Sequence, residues 1–160
     1  MHIRSYVAAD LARLIDLTID TFGPFYEESF RPLVGELIFT RQHGDWRGDY
    51  RTQVAGLHDP AAHKYVAVAV ADDVPAGYVA WWLDTARRQA TVEILAVARE
   101  HRRSSIATAL CEHAFAAMRA EGAEYVEIGT GGDDFHAPAR AFYESIGCVK
   151  VPVAVYFREL

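Results

Sequence analysis

A chain of 160 residues that is 51% apolar and 24% charged suits one globular domain, residues 1–160, with a sizeable core, and excludes a disordered class. Its net charge of −6 excludes a general nucleic-acid binder, which needs a basic face, and is compatible with a cationic substrate. Cys111 and Cys148 have no metal-ligand spacing and read as reduced core residues, Cys148 at the buried start of a strand; with no signal peptide in MHIRSYVAADLARL and no membrane-length apolar run, a cytoplasmic protein without membrane attachment is expected.

His2 to Val7 reads as a first strand. Asp10 is placed to cap or open a helix carrying Leu11, Leu14, Ile15, Leu17, Thr18 and Phe22 at helical spacing. Gly23-Pro24 is expected to break it, and a second helix to run from Pro24 to about Thr40. Asp45 to Leu57 holds a third, short helix after Gly44. This first third mixes aromatics (Phe22, Phe25, Tyr26, Phe30, Trp46, Tyr50) with acids (Asp16, Asp20, Glu27, Glu28, Asp45, Asp49). The mixture suits a pocket for a cationic amine, and equally a core-facing aromatic stripe backed by a solvated acidic face.

Lys64 to Ala71 is a strand, Asp72 to Pro75 a turn, and Ala76 to Leu83 the returning strand of a hairpin. After a turn at Asp84 to Arg88, Thr91 to Val97 is the next strand. A polar turn, Ala98 to Ser105, leads to a helix with Ile106, Ala109, Leu110, His113, Ala117 and Met118 at helical spacing, ended by Gly122. Tyr125 to Thr130 is a strand parallel to Thr91–Val97, which makes a βαβ unit. Ala137 to Ser145 is a helix stopped by Gly147, and Val149 to Arg158 a closing strand in which Pro152 marks a bend or an edge. Tyr156 and Phe157 suit pairing across a homodimer, although a monomer fits equally. The fold class is α/β (α+β), with a mixed, mostly antiparallel central sheet; a doubly wound dinucleotide fold would alternate strand and helix from the start.

The turn before the central helix has the chemistry of an anion site. Ser104 and Ser105 stand at the N-cap position. The unpaired N–H groups of the first helical turn, the positive end of the helix dipole, small residues at Ser104, Ser105 and Ala107, and the charges of Arg102 and Arg103 suit a pyrophosphate. A capped helix behind a solvated basic turn is the plainer reading.

Leu95-Ala96-Val97 followed by Arg102-Arg103-Ser104-Ser105-Ile106-Ala107 resembles the acetyl-CoA loop of the Gcn5-related N-acetyltransferase (GNAT) family, which reads Arg/Gln-x-x-Gly-x-Gly/Ala after an apolar-Ala-Val strand end. Ser105 stands where that family usually has Gly. A second stretch, His136 to Cys148, resembles the family's Asn-x-x-Ala-x-x-apolar-Tyr-Glu-x-apolar-Gly-Phe run through Ala139, Phe142, Tyr143, Glu144, Ile146 and Gly147, with His136 in place of Asn and Cys148 in place of Phe. The resemblance covers Tyr65 onward and implies the acyl-CoA N-acyltransferase fold. It implies transfer from acetyl-CoA to an amine with no acyl-enzyme and no metal.

On that resemblance, backbone groups of Leu95, Ala96 and Val97 pair with the pantetheine arm. The loop Arg102, Arg103, Ser104, Ser105, Ile106, Ala107 and Thr108 holds the pyrophosphate. An amide near Val97 polarises the thioester carbonyl. Tyr143 is the expected general acid for the leaving thiolate, against packing on cofactor or core. Glu93 is the first candidate base, because period-two alternation places it on the face of Leu95 and Val97; Glu127 on the neighbouring strand and a water relay are the alternatives. His136 is expected to contact the pantetheine arm or the amine, or to cap the helix that follows. The acceptor is a small amine of aminoglycoside or polyamine type, or a protein amine; a non-catalytic acyl-CoA sensor keeps the loop and has no need of Tyr143.

Overall fold

Small and β-branched residues in alternation build a five-stranded sheet whose spatial order follows the chain. In the computed structural model, which describes residues 1–160, the strands are β1 (His2–Ser5), β2 (Lys64–Ala71), β3 (Val74–Asp84), β4 (Gln89–Val97) and β5 (Tyr125–Ile128), antiparallel except for the parallel β4–β5 pair. The helices are α1 (Leu11–Pro24), α2 (Arg31–Val34), α3 (Glu36–His43), α4 (Trp46–Ala55), α5 (Ile106–Ala120) and α6 (Ala137–Ser145). None is long and apolar enough to cross a membrane.

The chain divides into two compact units, Met1–Thr21 with Arg47–Ile128, and Phe22–Trp46 with Gly129–Leu160. The first contains the sheet. Ile106, Leu110, Ala114 and Met118 of α5 pack on Ala67, Ala69, Val79, Trp81, Ala90 and Val92. His113 belongs to the solvent side of α5, not to its apolar stripe. On the opposite face α1 covers the sheet, where the fully buried Tyr78 hydroxyl meets Thr18 Oγ1 at 2.5 Å and Thr18 in turn donates to the Leu14 carbonyl at 2.6 Å. Burial pushes the Tyr78 phenol up, against the hydrogen bond to Thr18.

In the second unit, Gly23-Pro24 does not end α1. Pro24 has no N–H to give, and the backbone widens to i→i+5 bonding over Phe25–Phe30, with Arg31 N–H reaching the Tyr26 carbonyl, before α2 resumes. The break falls instead at Gly35, whose φ of +84° suits glycine. Gly23 allows a close approach: a Cβ there would stand 2.8 Å from the Trp46 ring. Gly147 ends α6 with φ +91°, as Cys148 N–H bonds the Tyr143 carbonyl and Gly147 N–H the Glu144 carbonyl; Gly122 ends α5 in the same way.

The closing strand expected over Val149–Arg158 does not form. No residue after Ser145 belongs to a helix or strand, and Val149, Val151, Val153 and Val155 are exposed. Cys148 is half-buried in irregular chain rather than at a strand start, while Cys111 is buried in α5.

The start of the fold is fixed by one ion pair. Arg4 on β1 holds the buried Asp10 carboxylate at 2.7 and 2.8 Å, and Asp10 also accepts the Val7 N–H at 3.0 Å. The hydrogen bonds from Arg4 outweigh burial and hold the Asp10 carboxyl below its usual range. Its stabilisation is therefore complete above the unfolded carboxylate value of about 3.9 and is lost as pH falls through the lower folded value. Asp10→Asn is expected to cost about 2 kcal/mol at neutral pH, some 4–8 °C in Tm. The gap between variant and parent should close in melts as pH falls through the lowered Asp10 value.

Candidate functional site

The two strands of the βαβ unit are unequal. β5 pairs with β4 only from Gln89↔Tyr125 to Val92↔Ile128. Beyond Val92, β4 continues through Glu93–Val97 with a partner on the β3 side alone. The backbone groups of this stretch that face away from β3 are thus left to other partners.

Two bulges shape that stretch. Between Ala80↔Ile94 and Trp81↔Val92, Glu93 is the extra residue on β4. The bulge overturns the alternation expected from the sequence. Leu95 and Val97 pack toward the α5 core, whereas Glu93 lies toward the other face, near Tyr78, and accepts a hydrogen bond from Gln53 Nε2 of α4 at 3.0 Å. The second bulge leaves Ala76 extra on β3, and its carbonyl accepts the Ala98 N–H at 2.8 Å, carrying the β3 contact past the end of β4. Beside it, Gly77 leaves no room for a side chain. A Cβ there would lie 2.9 Å from the Ala96 carbonyl oxygen, 3.2 Å from Val97 Cγ2 and 3.3 Å from Ile106 Cγ2.

The loop from Val97 to Ile106 is folded back on itself. Arg102 Nε donates to the Val97 carbonyl at 3.2 Å, and Ser104 Oγ donates to the His101 carbonyl. Ser104 and Ser105 therefore do not cap α5 with their side chains. Ser105 adopts the left-handed conformation, φ +64°, and Arg103 does so at +63°. The serine thus takes up a backbone shape that glycine reaches without strain. Arg102, Arg103, Ser104, Ser105 and Thr108 are exposed, Ala107 is half-buried, and Ile106 anchors the helix start in the core. The first N–H groups of a 15-residue helix, small neighbours and two guanidinium groups fit a diphosphate.

The remaining candidates have defined partners. Glu127 accepts from Gln89 Nε2 at 3.1 Å, and Gln89 accepts from Tyr125 at 2.9 Å, which ties Glu127 to the paired end of β4. In the second unit His136 does not cap α6 with its side chain; its Nδ1 meets Asp133 Oδ1 at 2.6 Å. Burial raises the Asp133 carboxyl, but the bond and charge of His136 with backbone N–H groups outweigh it and hold it low. Arg140 Nη1 donates to the Gly131 and Asp133 carbonyls, both at 2.6 Å, and Gly131 leaves no space for a Cβ beside Asp133 and His136. Phe25 lies edge-on to His136 at 4.8 Å. Tyr143 is half-buried on α6, seven residues beyond His136, beside Phe142 at 5.4 Å. Tyr143 and Glu93 belong to different units.

Four of the aromatic residues of the first third, with Glu27, pack on one another. Tyr26 stacks on Trp46 at 5.2 Å, and Glu27 accepts from Trp46 Nε1 at 3.1 Å and pairs with Arg31 at 2.7 Å. Arg31 also pairs with Glu36 and lies over the Phe39 ring. Sequence reasoning missed Asp133, Gly131 and Gly77; the Gly-Gly-Asp-Asp run before His136 and the lone glycine in a strand were the available signals.

The sequence profile of the Acetyltransferase (GNAT) family matches residues 14–148. The chain belongs to this family. The five-stranded mixed sheet with its helices is the GNAT acyl-CoA N-acyltransferase fold. Among solved structures, the chain is similar to the complex of AAC(6')-Iy with the bisubstrate analog CoA-S-monomethyl-acetylneamine (TM-score 0.69, 14% identity, covering 99% of this chain and 97% of that one). It is similar to the aminoglycoside antibiotic 6'-N-acetyltransferase AAC(6')-IG from Acinetobacter haemolyticus (0.68, 16%, 100% and 99%). A GNAT-family acetyltransferase from Staphylococcus aureus Mu50 is also similar (0.68, 14%, 91% and 82%). No curated protein matches the chain significantly. At these identities the structural likeness establishes the fold.

The backbone at Ser105 and Gly77 gives the GNAT loop two checks. Ser105→Val, which puts a β-branched residue at positive φ, is expected to cost about 2 kcal/mol and to weaken acetyl-CoA binding, whereas Ser105→Gly keeps both within a few tenths of a kcal/mol. Gly77→Ala, pressed against a backbone carbonyl, should cost about 1–3 kcal/mol and weaken acetyl-CoA binding as well. Thermal melts and calorimetric titration with acetyl-CoA measure both.

Proposed function

We propose that this GNAT protein transfers the acetyl group of acetyl-CoA to a primary amine by direct attack in a ternary complex, acting as one catalytic domain in the cytoplasm, with a small cationic amine of aminoglycoside or polyamine type as acceptor. One observation carries the reading: β4 runs past the end of β5 and leads into the N-terminus of α5 through a loop whose Ser105 holds a glycine-like backbone.

Bound acetyl-CoA supplies an acetyl group already activated as a thioester. Leu95, Ala96 and Val97 offer backbone groups to the pantetheine amides, in the way a further strand would pair with them. The α5 amides from Ile106 to Thr108, with Arg102 and Arg103, neutralise the diphosphate. A backbone N–H near Val97 stabilises negative charge developing on the carbonyl oxygen. Tyr143 holds the proton that the departing thiolate takes. Glu93, on its bulge, takes the proton that the amine must lose to attack. Glu127, tied through Gln89 to the paired end of β4 rather than to its unpaired stretch, is the weaker base. His136, oriented by Asp133, contacts the pantetheine arm or the amine. The net charge of −6 supports a cationic acceptor, as do the two aminoglycoside-related names among the similar structures.

Thiol release from acetyl-CoA across a panel of aminoglycosides, polyamines and lysine peptides tests the reading. Turnover with a small cationic amine is expected, and Tyr143→Phe should lower kcat by about 10²–10⁴-fold with little change in acetyl-CoA binding. Glu93→Gln should lower the rate at neutral pH and recover it as pH rises and the amine arrives uncharged, whereas Glu127→Gln leaves the rate near that of the parent. Turnover confined to lysine peptides would assign a protein acceptor. Tight acetyl-CoA binding without turnover would assign a sensor.

A further inference from the structure

The loop leading into α6 brings a carboxylate against an imidazole. Arg140 of α6 donates to the Gly131 and Asp133 carbonyls, both at 2.6 Å, so one guanidinium holds two peptide groups of the loop. A Cβ at Gly131 would collide with Asp133 Oδ1 and His136 Nδ1. Only a residue without a side chain lets those two atoms meet there.

The meeting decides which imidazole nitrogen carries hydrogen. Asp133 Oδ1 lies 2.6 Å from His136 Nδ1. Burial raises the Asp133 carboxyl, but the bond and charge of His136 outweigh it, so at neutral pH the group is ionised and can only accept. Nδ1 must then donate, and in the neutral ring Nε2 is left as the acceptor. Nε2 has no hydrogen-bond partner in the chain and is not enclosed. Asp133 Oδ2, by contrast, is enclosed and unpartnered. A loop that Arg140 already fastens has no need of a charged staple with one oxygen buried and unpaired.

The surroundings leave Asp133 as the one acid bonded to this ring. Phe25 and Phe135 stand edge-on to the imidazole at 4.8 and 4.9 Å, and neither titrates. Arg140 keeps its charge at every working pH, and Asp134, the neighbouring acid, is exposed to solvent.

We propose that Asp133 is a positioning residue for acetyl transfer: it fixes His136 as the Nδ1–H tautomer, so that Nε2 accepts an N–H of a bound reactant, either the pantetheine amide of acetyl-CoA or the acceptor amine. The identity of the reactants rests on the acetyl-transfer reading above. Affinity for the N–H partner is thereby gated by a proton. A charged imidazole donates from both nitrogens and has no acceptor left, so binding weakens as pH falls through the range in which His136 charges. An amide side chain at position 136 would show no such dependence.

Nitrogen NMR of the imidazoles, with the His136 signals assigned by their loss in His136→Asn, reads the tautomer in the free protein. The parent should hold the Nδ1–H form at neutral pH, and Asp133→Asn, which can donate or accept, should admit the Nε2–H form. Calorimetric titration with acetyl-CoA and the acceptor KM, both between about pH 5 and 8, read the consequence. One of the two affinities should weaken toward low pH in the parent, and His136→Asn should remove that limb. Asp133→Asn should lower the same affinity about 10-fold at neutral pH and move the limb to lower pH, because the carboxylate favours the charged ring. A limb in acetyl-CoA binding assigns the N–H to pantetheine, and a limb in acceptor KM alone assigns it to the amine. The Nε2–H tautomer in the parent would overturn the proposal. So would an Asp133→Asn defect that is equal at every pH and tracks the melting temperature, which would make the pair a loop staple. An intact acetyl-CoA limb without turnover on any amine sinks the transfer reading and upholds this one; turnover with both affinities flat does the reverse.

Discussion

The architecture turns on where β5 stops. A strand of nine residues lies beside one of four, so half of β4 has a single neighbour. Such a stretch frays unless something else holds it. Here β3 does so alone. The ladder continues to Gly77↔Val97, the Ala76 carbonyl takes the Ala98 N–H, and the missing side chain at Gly77 lets Val97 and Ile106 close over the strand. The same contacts that hold the half-partnered strand in place fix the start of α5.

The loop between them stores backbone strain. Arg103 and Ser105 both hold positive φ, each a departure worth about 1 kcal/mol or more for a residue with a side chain. Strain of this kind persists only where the surroundings leave no alternative. The Arg102 guanidinium on the Val97 carbonyl, the Ser104 hydroxyl on the His101 carbonyl and the burial of Ile106 supply that constraint. The loop is thus held in one shape by its own contacts.

Much of this was legible in residues. The hairpin of β2 and β3, the helix Ala137–Ser145 and its stop at Gly147, and the end of α5 at Gly122 follow from alternation and glycine chemistry. The bulge at Glu93 left no mark, because β4 is covered on both faces: Val92, Ile94 and Ala96 are all buried although the strand has slipped by one residue between them. Gly23-Pro24 looked like a stop because a proline lacks one N–H; the widened turn over Phe25–Phe30 absorbs that loss in a way no local pattern announces. The strand expected over Val149–Arg158 does not form, because strand propensity does not supply a partner and the segment makes no ladder within its own chain. The residues proposed for catalysis were found through resemblance; His136 acquired its Asp133 partner only in three dimensions.

The tryptophans are partitioned in a way that has a spectroscopic consequence. Trp81 and Trp82 belong to β3 in the sheet unit, while Trp46, only 3% exposed, is stacked on Tyr26 and bonded to Glu27 in the other. Its indole has a carboxylate partner and a parallel phenol ring, surroundings unlike those of the Tyr65-stacked Trp81. Fluorescence lifetimes and emission maxima should therefore resolve the two units without any label. The protein carries its own optical means of asking whether they melt together or one after the other.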